Sequence, residues 1–268
     1  MPSSAPSTSE GSGTQTIARA AQVLACFSAE RPHLKLVELS ELLGLSQSTT
    51  YRYLAALESG GLVIRDPRQG GYRLGLKVIE LAGIAINQIE ARKHALDDMD
   101  QLSADTGLLV NLAVLFEGDV LHIAHVAPPG VPRSFTALGR RAVAHCTSLG
   151  KAMLAGLSDA QVHVIIDRYG WRPYTDRSIR DFARLDAELA RTRTVGYALD
   201  LGERRPGVVC AGSVIRDFSG HAAAAVSVSV ADNRYDPAAF EAEIAPQVLA
   251  AAERISFRMG HQSTSAFL

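Results

Sequence analysis

The chain has 268 residues, 47% of them hydrophobic and 21% charged, with a formal net charge of −1. That is ample material for packed cores and excludes a globally disordered chain. No apolar run reaches the roughly 20 residues that span a bilayer, so no membrane role is expected. Three cysteines, Cys26, Cys146 and Cys210, stand far apart without C-x-x-C spacing. This argues against a disulfide framework or a zinc finger and for a reducing, cytoplasmic setting. Charge is mildly polarised: seven Lys/Arg against five Asp/Glu give Thr14 to Gly75 a balance of +2, and the remainder −3. Such a split is compatible with nucleic acid at one end without being diagnostic of it.

Residues 1–13, rich in Ser, Pro and Gly, have no basic n-region and no apolar h-region, so they read as a disordered tail and not as a secretory signal. Ile17, Ala20, Ala21, Leu24 and Phe27 recur at three- and four-residue spacing and predict an amphipathic helix ended by Pro32. A short second helix is expected over Leu36, Leu39, Leu42 and Leu43, stopped at Gly44. A third follows Ser46, a good N-cap, with Tyr53, Leu54 and Leu57 inward. Two β-prone pieces, 62–65 and 71–74, flank Asp66-Pro67-Arg68-Gln69-Gly70, whose Pro and Gly are turn chemistry. Helix, short helix, turn, helix, hairpin is the order of a winged helix-turn-helix.

In such a module the second helix of the pair enters the major groove of DNA. Its outward residues here are Gln47, Ser48, Thr49, Tyr51 and Arg52. Hydroxyls and unpaired N–H groups at a helix start suit phosphate oxygens. Arg52 can fork onto guanine and Gln47 can pair with adenine. Arg65, Arg68 and Arg73 on the hairpin would lie along the flanking phosphates, each neutralised phosphate adding salt-sensitive affinity.

From Leu76 to about Ser103 the pattern is again helical: Val78, Ile79, Leu81, Ala82, Ala85, Ile86 and Ile89, then Leu96, Met99 and Leu102. The small module cannot cover so long a stripe, so a partner chain is expected on it. After Gly107 strands and helices are expected in turn. A hairpin of 108–116 and 120–126 precedes helices at about 148–157, 159–169 and 181–195. Strands over 208–216 and 221–230 lead to a last helix over 237–259. This is the pattern of an α+β domain with a mainly antiparallel sheet. The expected organisation is a tail (1–13), a winged helix-turn-helix (14–75), a linker and dimerisation helix (76–94), an effector-binding domain (95–260) and a second tail (261–268).

A pocket can be read in that second half. Thr147 to Lys151 sits where a strand gives way to a helix, and the N–H groups of Leu149 and Gly150 there would hold an anion. It is not a phosphate loop of the Gly-x-x-x-x-Gly-Lys type, because His145 stands where the first glycine belongs. Ser227 and Ser229 share one face of their strand, Val208 and Cys210 one face of theirs, and Asp200 is expected in a loop after Gly196-Tyr197. Two alternatives compete with a regulator: an enzyme, and a sensor acting on a protein partner. His122, His125, His145, His163 and His221 invite the first. But His122 and His125, three apart on a strand, are expected to face opposite ways. There is no H-E-x-x-H, and Ser148 lacks the first glycine of a G-x-S-x-G elbow.

Several runs carry a resemblance. Thr16-Ile-Ala-Arg-Ala, Glu41-Leu-Leu-Gly-Leu-Ser-Gln-Ser-Thr-Thr-Tyr-Arg, Gly61-Leu-Val and Gly71-Tyr-Arg-Leu-Gly resemble the N-terminal half of the IclR family of bacterial transcriptional regulators. His145-Cys-Thr-Ser-Leu-Gly-Lys-Ala, Gly196-Tyr-Ala, Pro206-Gly-Val and Ala225-Val-Ser-Val-Ser resemble its C-terminal half. The resemblance runs over roughly 15–258. It implies an α+β chain in which a winged helix-turn-helix, a linker helix and a GAF-like effector-binding domain follow one another. It further implies a homodimer, commonly a dimer of dimers, on double-stranded operator DNA. The expected protein is a repressor controlled by a small organic or aromatic acid, with no catalytic activity, cofactor or metal. Carried over position by position, the effector site is Leu149 and Gly150 as backbone donors, Asp200, Cys210, Ser227 and Ser229 as polar contacts, and Val143 and Val208 as walls. Phe135 and Leu138 fall in the upper wall, where the resemblance is loosest.

Overall fold

The computed structural model describes residues 10–129, 138–231 and 235–262. Between Ile86 and Asn87 the chain divides into two compact units. The first holds α1 (Glu10–Ala25), α2 (Leu36–Leu43), α3 (Gln47–Ser59), β1 (Val63–Arg65), β2 (Tyr72–Leu74) and α4 (Leu76–Asn87). Val23, Leu34, Leu39, Leu54, Leu57, Val63 and Tyr72 meet in its core. Full burial of a leucine such as Leu54 contributes about 1.5–3 kcal/mol. The N–H of Lys35 donates to the Glu38 carboxylate at 2.6 Å, which fastens the start of α2. At α3 the Ser46 hydroxyl accepts the Thr49 N–H at 3.3 Å, satisfying one of the donors a helix start leaves free.

The helix-turn-helix and hairpin fall where the sequence places them, and several details differ. The first helix begins at Glu10, inside the stretch expected to be tail, and ends at Ala25 instead of running to Pro32. Ser28 and Arg31 bond to each other's backbone at 3.1–3.2 Å and turn the chain first. Ile17, counted on the inward stripe, is 73% exposed. Leu34 also exchanges two backbone bonds with Tyr72, at 3.0 and 2.8 Å, adding a third segment to the hairpin.

The helical pattern of 76–103 is two helices. The helical run is interrupted at Ile89, whose backbone is extended (φ −81°, ψ 104°), and α5 (Glu90–Thr106) starts beyond it. The break lies within the stretch expected to be one linker helix, 76–94. Asn87, a poor residue for a helix interior, accepts from Arg92 at 3.2 Å across the break. None of the described side chains of α4 is buried, whereas α5 buries Ala91, Ala95, Met99 and Leu102 in the second unit.

That unit is built on a six-stranded sheet of β3 (Leu109–Phe116), β4 (Asp119–Val126), β5 (Arg141–Val143), β6 (Ala198–Leu201), β7 (Val208–Arg216) and β8 (Ala222–Ala231). Its order is β5-β4-β3-β8-β7-β6, with every neighbouring pair antiparallel. The short edge strands β5 and β6 have no hydrophobic alternation long enough to announce them. A 3-10 turn (Ala144–Cys146) leads from β5 into α6 (Ser148–Ala155), which lies on one face of the sheet against Ala113, Ala198 and Ala225. Helices α7 (Asp159–Tyr169) and α8 (Phe182–Val195) pack outside α6 through Leu154, Val162, Leu185 and Leu189. The other face is covered by α5 and α9 (Pro237–Arg258), where Asp98 is clasped by Arg254 at 2.8 Å and Arg258 at 2.9 Å.

Candidate nucleic-acid interface and ligand pocket

The start of α3 is exposed. Gln47, Ser48, Tyr51 and Arg52 are exposed and Thr49 is half-buried, while Thr50, Leu54 and Leu57 turn inward. A polar stripe of contiguous residues is therefore presented by a helix whose opposite side is the core. Beside it, the guanidinium of Arg65 sits 5.5 Å from the ring of Tyr51 and 5.4 Å from that of Tyr72, ion-paired to Glu58 at 3.7 Å. Those contacts fix the hairpin to the outward face of α3. At its tip Asp66 accepts the N–H groups of Arg68 at 2.9 Å and Gln69 at 3.3 Å. These bonds hold its carboxyl below the usual carboxylate range and fold the turn so that Arg68 is exposed. Arg73 approaches the same carboxylate at 3.9 Å. All eight residues foreseen for DNA lie on these two neighbouring elements.

The second site lies on the α6 face of the sheet, just beyond the helix start. Register places His125, Asn111, Ser227, Gly212 and Ala198 side by side across five strands. In the next row Ser229, Cys210 and Asp200 are neighbours, and Val208 shares their face. Close packing seats the helix here. A side chain at Gly212 would come within 3.0 Å of the backbone of Ser148 and Leu149, and one at Gly150 within 2.2 Å of the carbonyl of Ala144. Both positions therefore exclude any side chain.

Of the expected pocket residues, Leu149, Gly150, Asp200, Val208, Cys210, Ser227 and Ser229 gather around this helix start, with three corrections. Gly150 is not a free donor: its N–H is taken by the Thr147 hydroxyl at 3.1 Å, the N-cap of α6. Leu149, earlier in the same turn, keeps its N–H outside the helical ladder. Asp200 is not in a loop but on β6, and one carboxylate oxygen accepts the N–H groups of Glu203 at 2.7 Å and Arg204 at 3.3 Å. Burial, then the charge of Glu203, pushes that carboxyl up to about 7. Val143 pairs with Asp119 at the far edge, so register turns it to the opposite side from Ala142, the β5 residue that packs with Leu149. Leu138 is exposed, and Phe135 lies outside the described residues.

The family model for the IclR helix-turn-helix domain matches residues 16–67, and that for the bacterial transcriptional regulator IclR C-terminal domain matches 84–257. The chain belongs to the IclR family of bacterial transcriptional regulators. It is 31% identical over 224 residues to the HTH-type transcriptional regulator XynR of Escherichia coli, covering 84% of this chain and 89% of that one. It is 35% identical over 240 residues to the HTH-type transcriptional regulator Rv1719 of Mycobacterium tuberculosis, covering 89% and 90%. An IclR homologue from Microbacterium hydrocarbonoxydans, solved in complex with 4-hydroxybenzoate, has the same fold, with a TM-score of 0.78 at 21% identity over 91% of this chain and 98% of that one. This IclR-family chain is accordingly a DNA-binding regulator and not an enzyme.

The sequence reading missed three side chains on the pocket face: Asn111, His122 and His125. A β-bulge between Leu112 and Ala113 sets Ala124 opposite Leu112 but His122 opposite Ala113. One residue of β4 is thus skipped, and His122 and His125 face the same side instead of opposite ones. Asn111 had a visible signal, being the one polar residue that interrupts the apolar run of β3. The bulge had none.

A buried ion cluster adjoins the pocket. Lys151 of α6, almost fully buried, donates to Glu203 at 2.5 Å and lies 3.1 Å from Glu188 of α8. Burial raises Glu203 above the usual carboxylate range against the opposing pull of Lys151.

Proposed function

We propose that this regulator is a repressor that holds double-stranded operator DNA with residues 14–75, and that a small organic acid bound within residues 95–260 controls it. Gln47, Ser48, Thr49, Tyr51 and Arg52 enter the major groove, Arg52 and Gln47 reading base edges. Arg65, Arg68 and Arg73 run along the flanking phosphates. The observation that carries this reading is the exposed polar start of α3 beside an arginine-bearing hairpin, over a helix whose other side is fully packed. The effector lies at the start of α6 against Leu149, Gly150, Asp200, Val208, Cys210, Ser227 and Ser229; Val143, facing away, drops out. The neighbour crystallised with 4-hydroxybenzoate favours an acid as ligand.

Residues 76–94 link the two parts and pair the chain with a second copy. Leu76, Ile79, Leu81 and Ile84 of α4 leave an exposed apolar face that a self-complementary contact would cover, and two such dimers form a tetramer. Operator half-sites about 34–36 Å apart, or a multiple of that, match paired recognition helices. An effector with unequal affinity for two arrangements of the sensor shifts that spacing and releases the operator. A protein that reads DNA in this way works in the cytoplasm. The test is a gel-shift titration on the DNA upstream of its own gene and of the genes beside it. A band that forms at low salt, weakens with salt and is lost with an acid is expected; no band at low salt ends the reading.

A further inference from the structure

The floor of the pocket is more polar than an aromatic acid requires. Asn111 is 1% exposed; its Nδ2 donates to the Ser229 hydroxyl at 3.3 Å, while its Oδ1 is buried without a partner among the described residues. His122, 8% exposed, carries a second such atom, Nδ1. Burial, with Arg140, His125 and Arg204 nearby, pushes its imidazole down to about 4, so near neutral pH the ring is uncharged and offers one donor and one acceptor. A β-bulge, a feature that recurs where a strand re-aims a side chain, brings both orphaned atoms to the face that holds Ser227 and Ser229. Buried polar atoms left unpaired are costly and rare in folded proteins, so two of them on one face call for a partner.

We propose that the effector is a hydroxylated aliphatic acid of the aldonate kind, its carboxylate at the first turn of α6 and its hydroxyls on Asn111, His122 and Ser229. This rests on the pocket reading above and narrows it. The N–H of Leu149, outside the helical ladder, supplies a partner for the anion. Strands β7 and β3 lie two spacings apart, about 10 Å, a distance suited to an acid with hydroxyls several atoms from its carboxylate. A hydroxyl can donate to Asn111 Oδ1; the edge of a benzene ring cannot. An aromatic acid without a ring hydroxyl would seal both orphaned atoms away from water without pairing them, one with a single phenol could pair only one of them, and sites built to bond a hydroxyl discriminate strongly against analogues that lack it.

The test is isothermal calorimetry on the full chain with L-threonate, D-arabinonate, D-gluconate, benzoate and 4-hydroxybenzoate. The best aldonate should bind at least about tenfold tighter than either benzoate. Asn111→Leu, similar in size, should lower aldonate affinity by on the order of tenfold while leaving benzoate affinity where it was. A circular-dichroism spectrum like that of the unmodified chain checks that this variant is folded, and His122→Phe, which removes the second orphaned atom, is a second variant expected to weaken aldonate binding. Benzoates binding tighter than every aldonate, no heat from any aldonate, or aldonate binding indifferent to Asn111→Leu would each overturn the proposal. Ser229→Ala separates the two readings. If it weakens whichever acid binds, the pocket stands and only the ligand class falls; if it changes no ligand's affinity, the pocket reading fails as well.

Discussion

The two candidate sites of this chain are assembled in opposite ways. The DNA-facing one is local: Gln47 to Arg52 are six consecutive residues at the start of one helix, and the three arginines that flank them sit on a hairpin that begins four residues after the helix ends. The pocket is collected from far apart, with Asn111 on β3, His122 and His125 on β4, Leu149 on α6, Asp200 on β6, Cys210 on β7 and Ser229 on β8. A local site depends on helical phase, which the spacing of apolar residues reveals. A distributed site depends on strand register, and a slip of one residue turns every side chain after it to the other face.

That contrast predicts where the molecule is brittle. The largest effect is expected at Lys151. Lys151→Met removes the cation from a buried cluster and leaves Glu203 and Glu188 uncompensated, which should cost about 3–5 kcal/mol. Thermal melts should show the second unit destabilised; a change in the midpoint of less than a degree or two would mean the cluster contributes little. Next is Arg52→Ala, which should cost about 1–3 kcal/mol of operator affinity and relax preference at one base pair without altering the melt of the second unit. Equal weakening on specific and random DNA would recast Arg52 as a phosphate contact.

A subtler break separates the units by pH. Asp200 is an acid whose folded pKa, about 7, lies above its unfolded value near 3.9. The folded state therefore holds more protons across that interval, so this group's contribution to stability falls as pH rises from about 4 to 7. Glu203 is shifted in the same direction. Asp200→Asn keeps the side-chain oxygen that caps Glu203 and Arg204 but cannot ionise. Relative to the unmodified chain it should gain stability as pH rises from about 4 to 7 and hold that gain above, and a parallel pH profile for the two proteins would refute the assignment.

How far the sequence could be read follows the same line. The three helices and hairpin of the first unit announce themselves through apolar spacing, Ser46 and the Pro-Gly turn. The long strands and helices of the second do likewise. Edge strands of three or four residues, such as the one carrying Asp200, leave no periodic trace. The bulge at Leu112 and Ala113 is a property of pairing between strands, invisible along either one. So the histidines, set aside because alternation should have split them, were the residues a correct register would have joined. Ile17 illustrates the reverse error: it keeps helical spacing with the core residues yet points to solvent.

The smallest effect expected sharpens the local site most. Arg68 is exposed at the tip of the hairpin, held by its backbone to Asp66 and not by its side chain, so its guanidinium is available to the DNA backbone. If it neutralises one phosphate, Arg68→Ala should weaken binding to all sequences alike and reduce the slope of log affinity against log salt by about 0.9. Arg65 should behave differently. Its guanidinium lies between two tyrosine rings and beside Glu58, so Arg65→Ala also loosens the hairpin from α3 and should lower specific affinity more than the salt slope accounts for. A loss of specific affinity in Arg65→Ala no larger than its own salt slope accounts for would mean that the aromatic clasp does not position the hairpin, and that the arginines act only as a diffuse charge.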